Sequence, residues 1–359
     1  MTEGTLPNLE SHTPCAMTVE TLTEIWQHVL RRTNIGPEDE FHDLGGNDRL
    51  ADRLFAEIAG VFNRELPTAT ISHATTIAAL AALLEQPTLP TFPPIVKLKA
   101  GSGKTPVFIA HGLDGRARFR DLAKNIPTEH AIYGFQAKGV DGLEEPFERI
   151  EEMAEYYLEA LAKFQPVGPY LLIGYSFGGL ITLEMAQRLA QAGKHVALLV
   201  LIDAYPHPRY LTPGPRLRLT ARRVWRHISE MAHRPARAAF GYFMKGLVHR
   251  LHIAGVRNRD RIAPEGSRLS YAHTTVRVRD SAYRAYGSYR PRFYRGKISF
   301  VRAASESYFP DNPAAIWGGL AQEFEVKTVP GDHLDMVTAT FDHLAAALTS
   351  CLREAREQE

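Results

Sequence analysis

The feature that most constrains this chain is a six-residue turn embedded between two regular elements. An apolar run, Tyr170–Gly174, leads directly into Gly174-Tyr175-Ser176-Phe177-Gly178-Gly179, and an apolar-periodic segment, Gly178 to Ala192, follows at once. Strand, glycine-flanked serine and helix in that order fit G-x-S-x-G in the context that gives the motif meaning. The glycines permit a tight, strained turn, and the serine hydroxyl projects from the end of a sheet. The flanking pattern agrees with this. Val107–Ala110, Ala131–Phe135, Val196–Ile202, Ile298–Val301 and Glu325–Val329 are strand-sized apolar runs, and Ile150 to Phe164 reads as a helix. Such alternation predicts an α/β fold, a mostly parallel sheet with helices on both faces.

Composition closes off other classes. The 359 residues are 45% hydrophobic and 23% charged, an ordinary globular balance. No apolar run approaches the roughly 18–20 residues of a membrane span, and the first residues lack the basic-then-apolar order of a signal peptide. Two cysteines, Cys15 and Cys351, make no disulfide framework and sit in no metal-ligand spacing, which points to a cytoplasmic setting. No metal and no cofactor are called for.

Charge is segregated. Val19 to Gln86 holds 11 acidic against 5 basic residues, a net of −6, whereas Tyr205 to Phe300 holds 21 basic against 4 acidic, a net of +17. The acidic stretch carries three helical patterns, built on Leu22, Ile25, Trp26, Val29 and Leu30, on Leu50 to Phe62, and on Thr76 to Glu85. Four prolines within Gln86–Pro94 exclude a helix and indicate an extended linker. The expected organisation is a disordered leader over 1–17, a small all-α bundle over 18–86, a Pro-rich linker over 87–97 and the α/β domain over 98–359.

A serine hydroxyl is a weak nucleophile at its own pKa, so it needs a base, and the base needs an orienting group. In chain order, Asp203 directly follows the strand Val196–Ile202, and His333 lies in the loop Val329-Pro-Gly-Asp-His-Leu-Asp-Met336. Ser176, Asp203 and His333 are therefore the expected catalytic set, with Glu306, after the strand Ile298–Val301, as the alternative acid. Oxyanion donors are expected from the backbone amides of Phe177, at the helix start, and Leu113, in His111-Gly112-Leu113-Asp114-Gly115. His111 is expected to fix that loop. Gly101-Ser-Gly-Lys-Thr105 resembles the end of a P-loop, but Leu98 stands where the pattern requires glycine, and a strand follows it instead of a helix.

These residues carry a resemblance. Phe108-Ile-Ala-His-Gly112, Ile132-Tyr-Gly-Phe-Gln-Ala-Lys-Gly139, Gly174-Tyr-Ser-Phe-Gly-Gly179, Leu201-Ile-Asp203 and Pro330-Gly-Asp-His333 resemble the α/β-hydrolase thioesterase domains that end nonribosomal peptide and polyketide synthases. Phe41-His-Asp-Leu-Gly-Gly46 resembles the carrier-protein domain that precedes them. The resemblance implies an acyl-thioesterase working through an acyl-enzyme, with the acid after the strand that follows the elbow helix, as Asp203 is. It implies substrate held as an acyl thioester on coenzyme A or on a carrier protein in trans, and a biosynthetic synthase as partner. It also implies that the long stretch of about 205–295 is a lid, far longer than a sheet connection needs. Two apolar stripes, Val224 to Met231 and Phe240 to Leu251, are expected there, with arginines that attract anionic phosphates or an acidic carrier. Contact with an anionic membrane surface is a weaker reading, and nucleic acid is not implied.

The carrier resemblance breaks at one position. The family attaches phosphopantetheine to the serine of Leu-Gly-Gly-x-Ser, and here Leu44-Gly45-Gly46-Asn47 is followed by Asp48. No prosthetic arm is expected. Other readings of the same residues are an acyltransferase or carboxylesterase, or a non-catalytic docking protein.

Overall fold

The computed structural model describes residues 14–88, 91–117, 119–211, 213–214, 216–217, 219–221, 271–305 and 312–357. The expected lid stripes at 224–231 and 240–251, most of the leader, and Glu306 lie outside the described residues.

The N-terminal bundle consists of α1 (Ala16–Leu30), α2 (Asp48–Phe62), a 3-10 helix (Thr68–Ser72) and α3 (Ile77–Glu85). The first helix begins at Ala16, inside the stretch read as leader, and stops at Leu30 because Arg31 takes a left-handed conformation. Thr76 accepts from the Ala79 amide and Asn47 from the Leu50 amide, so both later helices begin on a side-chain cap. Leu22, Trp26, Val29, Leu54, Ile58, Leu80 and Leu83 fill the centre. The Gly46 position explains the glycine pair. A Cβ there would meet the Phe41 ring at 2.3 Å, and that ring packs edge-on against Trp26 at 5.2 Å. Phe41 and Gly46 thus serve the core of the bundle whether or not an arm is attached.

The α/β domain is one seven-stranded sheet: β1 (Ile95–Lys99), β2 (Val107–Ala110), β3 (Ile132–Phe135), β4 (Tyr170–Tyr175), β5 (Val196–Ile202), β6 (Tyr294–Ala303) and β7 (Ala321–Val329). The order is β1-β3-β2-β4-β5-β6-β7; β1 runs antiparallel to β3 and every other pairing is parallel. The strand β1 begins inside the stretch read as linker, so the Pro-rich segment yields to the sheet at Ile95.

Alternation divides the core into two layers. Phe108, Leu172, Leu201 and Phe300 face α5 (Ile150–Phe164) and α6 (Phe177–Gln191). Val107, Ile109, Ile173 and Val200 face the opposite layer with α4 (Arg120–Asn125) and the C-terminal helix. Among the described residues, the α-helices that follow residue 270 are α7 (Tyr271–Ser288), which returns the chain from the basic stretch to β6, then α8 (Ala314–Trp317), α9 (Asp335–Thr338) and α10 (Phe341–Glu357). The glycine-lysine stretch after β1 is a turn. The Gly103 amide donates to the Glu129 carbonyl at 2.8 Å, and no helix starts there.

Candidate active site

At the carboxyl end of β4 the chain reverses sharply through Ser176, which has φ +53° and ψ −117°. A non-glycine residue held there stores of order 1–3 kcal/mol, so its surroundings must fix it. They do so by backbone contacts: the Ser176 amide donates to the Ile202 carbonyl at 2.8 Å and the Gly179 amide to the Ser176 carbonyl at 3.1 Å. The two glycines that open α6 answer to close approach. A Cβ on Gly178 would come within 2.3 Å of the His111 carbonyl oxygen, and one on Gly179 within 2.4 Å of the Ala204 Cβ. The elbow is thus wedged between the loop after β2 and the end of β5.

The residue following β5 is Asp203, which is 2% exposed and has φ +45°. Its amide donates to the Val301 carbonyl at 2.8 Å, and the Trp317 indole N–H fixes the next residue by donating to the Ala204 carbonyl at 3.0 Å. Across from it, His333 lies in the turn after β7, with Nδ1 2.7 Å from Asp203 Oδ2. A proton on Nδ1 donates to that carboxylate and leaves Nε2 as an acceptor. The neighbouring acids act on the backbone instead. Asp332 Oδ1 accepts from the amides of Leu334 and Asp335 at 2.8 Å each, closing the turn that carries His333. Tyr175, the residue before Ser176, stacks its ring on the His333 ring and donates its hydroxyl to the His333 carbonyl. The aspartate, the histidine and the neighbour of the serine therefore meet at one edge of the sheet.

His111 lies 1% exposed in the loop after β2, its Nδ1 2.6 Å from the Gly112 carbonyl and its Nε2 against the Tyr157 hydroxyl. Burial pushes its pKa down, so it stays neutral. It holds the loop, as the sequence suggests. Leu113 and Phe177 both line a narrow apolar pocket, together with Met153, Tyr156, Val278 and Ala282. Those four residues escaped the sequence reading. The i, i+3 spacing of Met153 and Tyr156 on α5 is an available signal, whereas Val278 and Ala282 sit among arginines that disguise a buried face.

The chain matches the family described as "Thioesterase domain" over residues 105–351, more than half its length. It belongs to the thioesterase family. The family described as "Phosphopantetheine attachment site" matches residues 20–84, so a carrier-type domain precedes the thioesterase as in nonribosomal peptide synthetases. The chain is 36% identical over 224 residues to an indigoidine synthase of Streptomyces lavendulae, covering 62% of this chain and 17% of that one. It is 35% identical over 190 residues to a dimodular nonribosomal peptide synthase of Bacillus subtilis, covering 52% and 8%. The match thus spans less than a fifth of either relative. Among solved structures the thioesterase resembles a four-domain nonribosomal peptide synthetase bound to AMP and glycine, with TM-score 0.56, 22% identity, and 94% of this chain and 26% of that chain covered. It also resembles the type II thioesterase BorB from the borrelidin biosynthetic cluster, with TM-score 0.50, 19% identity, and 72% and 96% covered. Both likenesses bear on the fold.

The carrier-type domain does not fit its prosthetic group. Attachment needs a hydroxyl at the first residue of α2, and that residue is Asp48, whose carboxylate cannot take up a phosphopantetheinyl group and repels its phosphate. The nearest serine along the chain is Ser72, at the end of the 3-10 helix. Among the described residues, no group of His, Cys, Asp and Glu could hold a metal ion, and no helix is long and apolar enough to cross a membrane.

Proposed function

We propose that this thioesterase releases acyl groups from a pantetheine thioester through Ser176, His333 and Asp203. The observation that carries the reading is the 2.7 Å contact of His333 Nδ1 with the buried Asp203 carboxylate beside the Ser176 elbow. As Ser176 Oγ bonds to the thioester carbonyl carbon, its proton passes to His333 Nε2. Asp203 keeps the imidazole in the productive tautomer and stabilises its cation. The amides of Leu113 and Phe177 receive the oxyanion. Collapse breaks the carbon–sulfur bond, and the departing sulfur takes the proton from His333. Water then attacks the acyl-serine ester, gives a proton to His333, and the acid leaves as Ser176 Oγ regains that proton.

The acyl group arrives on coenzyme A or on a carrier protein in trans, from a biosynthetic synthase, because Asp48 cannot bear an arm. The arginines of 205–295 draw that anionic partner. Raising salt is expected to slow reaction with coenzyme- or carrier-bound acyl groups more than with a neutral short thioester. Free cysteines, Cys15 exposed and Cys351 buried, suit a cytoplasmic setting.

A fluorophosphonate probe tests the chemistry. Intact-mass spectrometry should show one adduct on the native chain, none on Ser176→Ala, and no thioester hydrolysis by that variant. Full activity in Ser176→Ala would discard the assignment.

A further inference from the structure

The bundle that lacks its arm is packed against the loop that carries Leu113. Arg116, 8% exposed, lies 3.6 Å from Asp114 in its own loop and 3.6 Å from Asp52 on α2. Thr68 donates to Asp52 at 2.8 Å, so the carboxylate is held from the bundle side too. Between these contacts lies Gly115, with φ +75°. A Cβ there would meet Val278 at 2.6 Å, Ala137 at 2.8 Å and Val140 at 3.1 Å. Val140 and Val278 belong to the apolar core of the bundle, and Ala137 packs on it. Ala137 and Val278 in turn line the pocket that Leu113 and Phe177 share. The Ala137 amide donates to the Gly115 carbonyl at 2.8 Å, fixing the loop against the same wall.

Around this seam the contact continues. Gln136 Nε2 meets His73 Nε2 at 2.9 Å, the Phe92 amide donates to Asp141 at 3.1 Å, Arg120 faces Glu40 at 3.8 Å, and Lys124 meets Asp43 at 2.6 Å. The exposed ion pairs contribute little each. Continuity of the apolar core and the nearly buried Arg116 are what make the join a packed one.

We propose that the carrier-like bundle is a fixed brace for the 111–116 loop, holding the Leu113 amide in place, and has ceased to move as a carrier does. This rests on the reading of Leu113 as an oxyanion donor. A carrier must travel to deliver its cargo; a brace must stay. Asp52 is then a positioning residue, acting on the reaction through Arg116.

Two experiments on the full chain test this. In the first, Asp43→Cys and Lys124→Cys in a Cys15→Ser background are joined by a short bis-maleimide. A linked protein that keeps kcat within about twofold of the unlinked one on a short acyl-pantetheine thioester supports the brace; a loss of about tenfold on linking overturns it. In the second, Asp52→Lys is expected to lower kcat about tenfold with KM nearly unchanged, because both acylation and deacylation use the same oxyanion donors, and Asp52→Glu is expected to restore most of it. An unaltered kcat in Asp52→Lys overturns the proposal. If Asp52→Lys does not fold, the linked pair decides alone. Fluorophosphonate labelling of the native chain keeps the two readings apart. A native chain that neither labels nor hydrolyses discards the catalytic assignment, whereas a labelled, active chain indifferent to Asp52→Lys discards the brace only.

Discussion

The Tyr175 hydroxyl donates to the His333 carbonyl at 2.8 Å while the two rings stack with centroids 5.0 Å apart. One side chain, adjacent to Ser176 in sequence, therefore fixes both the backbone and the ring plane of the histidine across the sheet edge. Burial, together with the nearby Asp203 charge, drives the Tyr175 pKa upward, so the hydroxyl remains a donor through the whole working range of pH. Tyr175→Phe keeps the stacking and removes the donor. Its kcat on a short acyl thioester is expected to fall several-fold, and Tyr175→Ala, which also frees the ring, should fall further, by about 10²-fold. Steady-state kinetics on the two variants separates the contributions.

The assignment of the acid is open to a direct contest. Asp203→Asn preserves the shape but favours the wrong imidazole tautomer, and a loss of about 10⁴-fold in kcat is expected. Glu306→Gln should lose little. The reverse pair of results would move the acid to Glu306.

The carrier-like domain should resist loading. Incubating the full chain with a phosphopantetheinyl transferase and coenzyme A is expected to leave its intact mass unchanged. Asp48→Ser restores a hydroxyl at the first residue of α2, so the mass of that variant reports whether the rest of the bundle is still recognised.

Stability should depend on pH through His42. Burial, then the Arg120 charge, lowers its pKa from 6.5 to about 4. Below pH 6.5 the unfolded chain takes up a proton that the folded chain refuses until about pH 4. The folded state is therefore favoured above 6.5, and this contribution disappears progressively as the pH falls to about 4. Thermal melts between about pH 7 and 4.5 should show the bundle losing stability, and His42→Gln should flatten that slope. A slope unchanged by the substitution would place the sensitive group elsewhere.

Much of this was legible in the chain itself. The sheet announces itself because β4 and β5 are buried on both faces and so read as unbroken apolar runs. The α5 and β5 boundaries coincide with the expected ones because Pro, Gly and charge punctuate both ends. Ser176, Asp203 and His333 could be placed by their order and by the strand ends they follow. What stayed hidden depends on distant contacts. β1 is an edge strand with Lys97 and Lys99 along it, and four prolines just before it suggest coil. The α7 pocket face hides among Arg277, Arg279 and Arg284. The ion pair in the seam between bundle and loop joins Asp52 and Arg116, two ordinary charged residues that no local pattern distinguishes.

Gly179 stands behind Ser176 and Ala204 follows Asp203, and no room is left between them for even one more methyl group. Spacing between serine and aspartate is consequently set by one absent side chain facing one minimal side chain, so it cannot be retuned from one side. Any attempt to redesign this enzyme for bulkier reactions must alter positions 179 and 204 as a couple, or widen the entrance elsewhere and leave that joint alone.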